Sequence, residues 1–395
     1  MQHVQDQNIH YPEKGLYHLK QAMVAIALGR EQDPILWPYQ RAVQESNLTD
    51  LRGFIESCAV YLFAITLGMV KEDIRKRLQG FGDHPEDYLA VNTAVPVAEA
   101  QEKKVADFFR DLVCEALSLA DELKEKYPSI ELEELILIRK NNQQSQSPAI
   151  RKACHIYPEV SANVQGFIRS RVAIPDIYLF SDTGAGTVDQ STFIFYHRSD
   201  NTEHLNFLCG HVLPLGAGRI DFLAAELRGN LDPCHLEAIC QKREEGSEDQ
   251  AIRQAKNIIG EDLKKGTIKT LAQAKRKMIN QDNIREIKVI FGGGGHCEHP
   301  YERCVVRGPF SHSLFREPIN PPVVGLPIPH DLTFDGRNEN TKRRWMRRLN
   351  VAYGLSFLKE DLSGFTYPKD CEDPNPGQIW PRVRHIPDAV SKDEC

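Results

Sequence analysis

Hydrophobic residues recur along the first 80 positions at helical spacing. Leu19, Met23, Ile26 and Leu28 form one apolar face, residues 51–70 form a second helix, and Asp73 to Leu78 extend it with charge. A Gly-Asp-His-Pro turn at 82–85 ends this block. Tyr88 to Val95 reads as a β-type run closed by Pro96. Beyond it, Val105, Phe108, Phe109, Leu112, Val113, Ala116 and Leu119 predict a long helix from about Ala98 to Leu123. Leu135 to Ile138 is expected as a short buried strand, 141–147 as a polar loop, and a helix from near Tyr157 to about Arg169.

From residue 176 the pattern changes to strands, at 176–181, 191–196 and 205–213, with a helical stretch at 219–229. A charged helical insert follows at about 232–282, and a fourth strand at 286–291. The order is βββαβ. From Asp361 the chain is rich in Pro, Asp and Lys, which predicts a surface tail.

Composition narrows the function classes. With 41% hydrophobic and 26% charged residues, the 395-residue chain is of ordinary globular type and long enough for two or three lobes. A net charge of −6 argues against a general nucleic-acid coat. The basic group Lys342, Arg343, Arg344, Arg347 and Arg348 around Trp345 is a local exception, read as the solvated face of a helix, with a nucleic-acid or acidic-partner contact as the alternative. Met1 to Gly15 has no apolar core, so no secretory signal is expected. The longest apolar run, Cys58 to Val70, falls short of the roughly 20 residues a bilayer needs, so no membrane span is expected. Ten scattered cysteines without a CxxC pair suit reduced thiols in the cytoplasm. His296, Cys297, His299 and Cys304 are zinc-ligand types, but no second half-site follows at tetrahedral spacing.

Three glycine-bearing segments carry the candidate chemistry. Asp182-Thr-Gly-Ala-Gly-Thr-Val-Asp189 lies between two strands. A hairpin turn explains one or two glycines. It does not explain Thr183, Gly184, Gly186 and Thr187 flanked by Asp182 and Asp189. Closely spaced amides bind phosphate, hydroxyls add donors, and the carboxylates suit hydrated Mg²⁺ or an attacking water. Gly292-Gly-Gly-Gly295 directly follows a buried strand, where glycines admit a ligand close to the backbone; a flexible linker is the plainer alternative. In Leu215-Gly-Ala-Gly-Arg-Ile-Asp221, Gly216 and Gly218 lead into a helix whose N-terminus favours anions, and a plain strand-to-helix turn fits equally well.

These motifs, in this order and in a βββαβ context, resemble the second lobe of the actin-like ATPase superfamily, which includes actin, sugar kinases and the seventy-kilodalton heat-shock chaperones. The segment 182–193 is similar to the second phosphate loop of divergent chaperone-like members. Pro158 to Gly166 looks like their connecting helix, Phe291 to Gly295 their adenosine loop, and Arg348 to Leu355 their closing helix. The resemblance covers about residues 88–358. It implies an α/β, ribonuclease H-like fold: a helical N-terminal region at 1–87, the remainder of a shortened, helix-rich first lobe at 88–175, a complete second lobe at 176–360 and a tail at 361–395. It also implies ATP or ADP with Mg²⁺ as ligands. Asp182, Asp189 and Glu159 would serve the metal and the attacking water, and Thr187 the γ-phosphate region. Gly184 and Gly186 would offer amides to phosphate. Gly293 and Gly294, within Gly292–Gly295, would pass under the adenosine, and Lys256 resembles the base-clamping helix.

Two parts of the pattern have no match. The first lobe's Asp-x-Gly-Thr/Ser phosphate loop is not found, and neither is its early catalytic lysine. Asn257 and Gly260 stand where the chaperones have Arg and Ser, His296 and Cys297 replace small polar residues, and there is no peptide-binding sandwich. The expectation is therefore an ATP-binding, chaperone-like conformational switch, with slow hydrolysis at most, acting on a protein partner or completed by a second chain. A degenerate interaction module and a small-molecule kinase are the alternatives.

Overall fold

The computed structural model describes residues 16, 18–83, 89–142, 147–278, 280–295, 299–334 and 338–371. The end of the 82–85 turn, His296, Cys297, most of the expected 141–147 loop and most of the expected tail lie outside that set.

The N-terminal half is mainly helical: α1 (Leu19–Ala27), α2 (Trp37–Glu45) and α3 (Leu51–Arg77). Gly29 and Asn47, both at positive φ, interrupt what reads as one helical block. Asp50 starts α3 by accepting from Gly53 N–H at 2.9 Å. Contrary to the sequence expectation, α3 contains a stretch long and apolar enough to cross a membrane. Its Phe54, Ile55, Ala59, Val60, Ala64 and Ile65 are nonetheless packed into the core of this lobe.

Next come β1 (Val91–Val95), α4 (Val97–Ala100), α5 (Lys103–Lys126), α6 (Leu132–Asn141), α7 (Pro148–Ala153), β2 (Cys154–Pro158), α8 (Glu159–Asn163) and α9 (Gln165–Ile168). Two corrections apply here. The expected strand at 135–138 is part of α6. Glu133 and Glu134 in its first turn and Arg139 and Lys140 in its last complement the helix dipole. Leu135 is buried while Leu137 is 58% exposed, so only one face packs. The expected helix at 157–169 begins as the end of β2 and breaks into α8 and α9. β1 and β2 pair in parallel, Val91 opposite Cys154 and Val95 opposite Pro158. Glu99 and Glu159 thus follow the carboxyl ends of two neighbouring parallel strands, where ligands gather in open α/β sheets.

The second half builds one sheet from β3 (Asp176–Thr183), β4 (Val188–His197), β5 (Glu203–Leu213), β6 (Lys288–Gly292), β7 (Val323–Val324) and β8 (Gly364–Thr366), in the order β7-β6-β3-β4-β5-β8. The helices are α10 (Ala217–Leu227), α11 (Pro233–Glu244), α12 (Gln250–Lys277), α13 (Tyr301–Val306) and α14 (Glu339–Leu355). β3, β4 and β5 run antiparallel, and β6 returns parallel to β3. This is the mixed α/β fold and the βββαβ order that the sequence predicts. One segment departs: residues 364–366, expected on a surface tail, pair with β5 as an edge strand.

The strands are apolar on both sides because both faces are covered. Ile177, Leu179, Ile194 and Leu208 pack against α10 and α12. Tyr178, Phe180, Phe193, Phe195 and Phe207 form the other face, against Val160, Val164 and Phe167 of the α8–α9 segment. That segment is clamped from outside by α14. A Cβ on Gly354 would stand 1.8 Å from the Ala162 carbonyl oxygen. Gly354→Ala should therefore lower stability by about 2 kcal/mol or more. Gly325→Ala, where a Cβ meets nothing within 4 Å, should leave the melting temperature unchanged. Thermal melts of the two variants check this.

Candidate functional site

Asp182 and Asp189 face each other across the β3–β4 hairpin. Gly184 N–H donates to Thr187 O at 2.9 Å and closes its tip. The second glycine segment docks on that tip. Gly216, Ala217 and Gly218 donate to the carbonyls of Gly186, Gly184 and Ala185 at 3.2, 3.0 and 2.8 Å. The third arrives from β6, with Gly295 donating to Thr183 O at 3.0 Å. The three segments are far apart in sequence and form one backbone cluster. Only glycine fits at its contacts. A Cβ at Gly293, which sits at φ 78, would lie 2.3 Å from Asp182 Oδ1, and one at Gly216 would lie 2.4 Å from the Gly186 carbonyl carbon.

This cluster changes the expected donor set. The amide of Gly184 is engaged within the hairpin and those of Gly218 and Gly295 between segments, so these glycines shape the site more than they donate to a ligand. The amides of Ala185, Gly186 and Thr187, at the hairpin tip, make no backbone bond among the described residues.

Four carboxyl groups come together beside the hairpin: Asp182, Asp189, Glu159 of α8 and Glu99 of α4. Lys20 of α1 enters among them and pairs with Glu159 at 2.5 Å. Asn163 donates to Asp182 Oδ2 at 2.5 Å. Burial raises the pKa of Asp182, the nearby Glu159 raises it further, and Asn163 and Lys20 act against both. Asp189 is raised for the same two leading reasons, and the charges of Asp182 and Glu99 add to them. Burial pushes Glu99 up to about 7, with Lys20 opposing and Glu159 reinforcing. Burial would lower the Lys20 pKa, but the ion pair with Glu159 and the charges of Asp189 and Asp182 raise it, so Lys20 stays an ammonium.

Lys20, Glu99 and Asn163 were not singled out from sequence. A signal for Lys20 exists: it is the one charged residue between Leu19 and Leu28. The start of α1 also stands against the hairpin tip. At Gly186 a Cβ would approach His18 Nδ1 to 2.8 Å and Gln21 Nε2 to 3.4 Å. Burial lowers the His18 pKa, which favours a neutral ring there.

The donor set fits a hydrated divalent cation. Glu99 Oε2, Asn163 Oδ1 and Asp189 Oδ1 are buried without a hydrogen-bond partner. Among the described residues no three acidic, His or Cys side chains converge closely enough to chelate an ion directly. An ion here would be held largely through its waters, as Mg²⁺ prefers. The same search leaves His299 and Cys304 without a described metal cluster, and Cys304 packs against Gly260.

Lys256, the expected base clamp, is buried and ion-paired with Glu248. It lines a cavity of about 370 Å³ between α12 and α13, with Asn257, Gly260, His299, Arg303 and Arg307 on its walls.

No protein-family profile and no curated protein matches the chain. Solved structures do resemble it. One belongs to a PilM-PilN type IV pilus biogenesis complex, at 16% identity and a TM-score of 0.34; the likeness covers 56% of this chain and 57% of that one. A second is a non-polymerisable ParM mutant, at 14% identity and a TM-score of 0.32, covering 55% of this chain and 61% of that one. A third is the ethanolamine utilization protein EutJ from Carboxydothermus hydrogenoformans, at 10% identity and a TM-score of 0.32, covering 74% of each. This chain therefore spans less than two thirds of the first two. At such identities and scores, the functional reading rests on this chain's own geometry. None of the three is a heat-shock chaperone.

The carboxyl cluster has a measurable consequence. A carboxyl whose pKa is raised on folding holds its proton more tightly folded than unfolded. Stability is then lost as pH rises from the ordinary carboxylate value of about 4 through the raised values. Asp189→Asn removes one such group. It should melt above the wild type at pH 8, and the difference should vanish near pH 4. Melts of both proteins across that range check the sign.

Proposed function

We propose that this chain is a nucleotide-binding module of the actin-like type, which takes ATP or ADP with Mg²⁺. The observation that supports this best is the convergence of three glycine segments on one β-hairpin, beside four carboxyl groups and a single lysine. Neither a plain hairpin turn nor a flexible linker accounts for it.

The amides of Ala185, Gly186 and Thr187 would face phosphate oxygens, and the Thr187 hydroxyl adds a donor at the same tip. Lys20 would stand opposite, pulled from Glu159 toward the terminal phosphate when a nucleotide enters. Asp182, Asp189, Glu159 and Glu99 would accept from waters around Mg²⁺. A bound Mg²⁺ supplies the positive charge that lets polyphosphate lie beside carboxylates. Asn163 holds one Asp182 oxygen and so orients the carboxylate. Asp182 can take a proton from an attacking water, since burial raises its pKa to about 7. The 370 Å³ cavity lined by Lys256 and Asn257 is large enough for part of a nucleoside.

The output in this reading is a conformational signal. Asn163, which touches Asp182, ends α8, and α8 is clamped by α14. A partner that reads α14 would read the site. A sequence without a recognisable first phosphate loop favours slow or no turnover, and so also keeps the non-catalytic module in play. A small-molecule kinase needs an acceptor cleft that no observation here singles out. The chaperone identity gains no support beyond the sequence resemblance.

Calorimetric titration tests the proposal. Mg·ATP and Mg·ADP should bind the wild type with micromolar Kd, about −8 kcal/mol. The double change Asp182→Ala, Asp189→Ala should abolish that binding. Lys20→Ala should weaken it at least tenfold, about 1.4 kcal/mol. No binding to the wild type at millimolar nucleotide would sink the reading. Phosphate release by the wild type then separates an ATPase from a switch without turnover.

A further inference from the structure

The site has an electrostatic problem that its known parts do not solve. Four carboxyl groups surround one ammonium, and that ammonium is already paired with Glu159. Burial is the main cause of the raised values at Asp182, Asp189 and Glu99, and the charge of Glu159 adds to each. A nucleotide brings more negative charge. Mg²⁺ offsets part of it on the carboxylate side, and the other side of the phosphate chain needs a cation from elsewhere.

Arg348 of α14 stands in the right place. A Cβ at Gly294 would lie 2.9 Å from Arg348 Nε and 3.6 Å from its Cδ. The arginine stem therefore lies across the glycine loop 292–295, the loop that also donates to Thr183 of the phosphate hairpin. Among the described residues, Arg348 makes no ion pair. Its guanidinium carbon stands 5.9 Å from the centre of the Trp345 ring, a contact that steadies the group without neutralising it. An exposed guanidinium that lies on a glycine loop is suited to bidentate phosphate recognition.

We propose that Arg348 binds the phosphate chain of the nucleotide where that chain passes the glycine loop 292–295. The inference rests on the nucleotide reading above. It adds a residue from a helix that the sequence treats only as a closing element with a solvated basic face. It also gives α14 a direct contact with the ligand as well as its indirect link through α8.

The test uses the full chain and four proteins: wild type, Arg348→Ala, Arg348→Lys and Arg344→Ala, the last an exposed arginine on the same helix. Thermal melts establish that all four are folded. Mg·ADP is titrated into each, and adenosine is titrated as a ligand without phosphate. The expected result is at least a tenfold loss of Mg·ADP affinity in Arg348→Ala. Arg348→Lys should recover part of it, Arg344→Ala should match the wild type, and adenosine affinity should be equal in wild type and Arg348→Ala. Equal Mg·ADP affinity in wild type and Arg348→Ala would overturn this inference and leave the nucleotide reading intact. Parallel loss of ADP and adenosine affinity would overturn the phosphate contact, because Arg348 would then be supporting the loop or the nucleoside. A wild type that binds no Mg·ADP would overturn both.

Discussion

The crowding of Asp182, Asp189, Glu159 and Glu99 around one lysine is the constraint on which the rest of the site depends. Burial, with like charge added to it, raises the pKa values of Asp182, Asp189 and Glu99 and opposes folding at neutral pH. A protein keeps such an arrangement only if the surrounding structure over-determines it. Here two parallel strand ends, an antiparallel hairpin and the first turn of α1 each deliver one or two of the groups. Each element is fixed by packing away from the site. The aromatic layer under β3 and β4 sets Asp182 and Asp189, and the β1–β2 pair sets Glu99 and Glu159. Strain at the site is thus held by cores that do not share it.

The glycines resolve a different conflict. Three backbone segments must approach until peptide groups touch, and any side chain at Gly216, Gly293 or Gly354 would occupy space already filled by backbone atoms. The close approach lets the loops bond to one another, which makes the cluster rigid before any ligand arrives. It also engages donors that a looser loop would leave for phosphate. A rigid cradle with few amides gains selectivity from the side chains around it, which is why Lys20 and Arg348 carry so much of the functional argument.

Much of this was legible in the sequence, and the limits have physical causes. The βββαβ order and the hairpin were readable because both depend on local signals: alternating apolar runs, a turn motif and a glycine string after a strand. The strand expected at 135–138 failed because four apolar residues fit a buried strand and one helix face alike, and the charges at 133–134 and 139–140 decide between them. β8 was missed because three residues of edge pairing leave little trace in composition. Lys20, Glu99 and Asn163 were missed for a deeper reason. Each is ordinary in its own segment and becomes functional only through tertiary convergence. Lys20 is the one charge on the first turn of α1, and it stands out only once its partners are known.

The position of α14 follows from the same geometry. Its C-terminal region is tied to the first lobe, where the Asn92 side chain donates to the carbonyls of Leu355 and Phe357 at 2.8 and 3.0 Å. Its last turn is locked on α8 at Gly354, and Arg348, nearer its middle, lies on the glycine loop 292–295. One rigid helix therefore touches β1, the connecting helix and the loop at once. A ligand that moves Arg348 relative to Gly294 works against contacts at Ala162 and Asn92 that have no slack. In the nucleotide reading, energy gained at the phosphate would be transferred along α14, because a close-packed helix shifts as a body. Coupling between site and surface then needs no separate pathway. It is a consequence of fastening one helix at three points on two lobes.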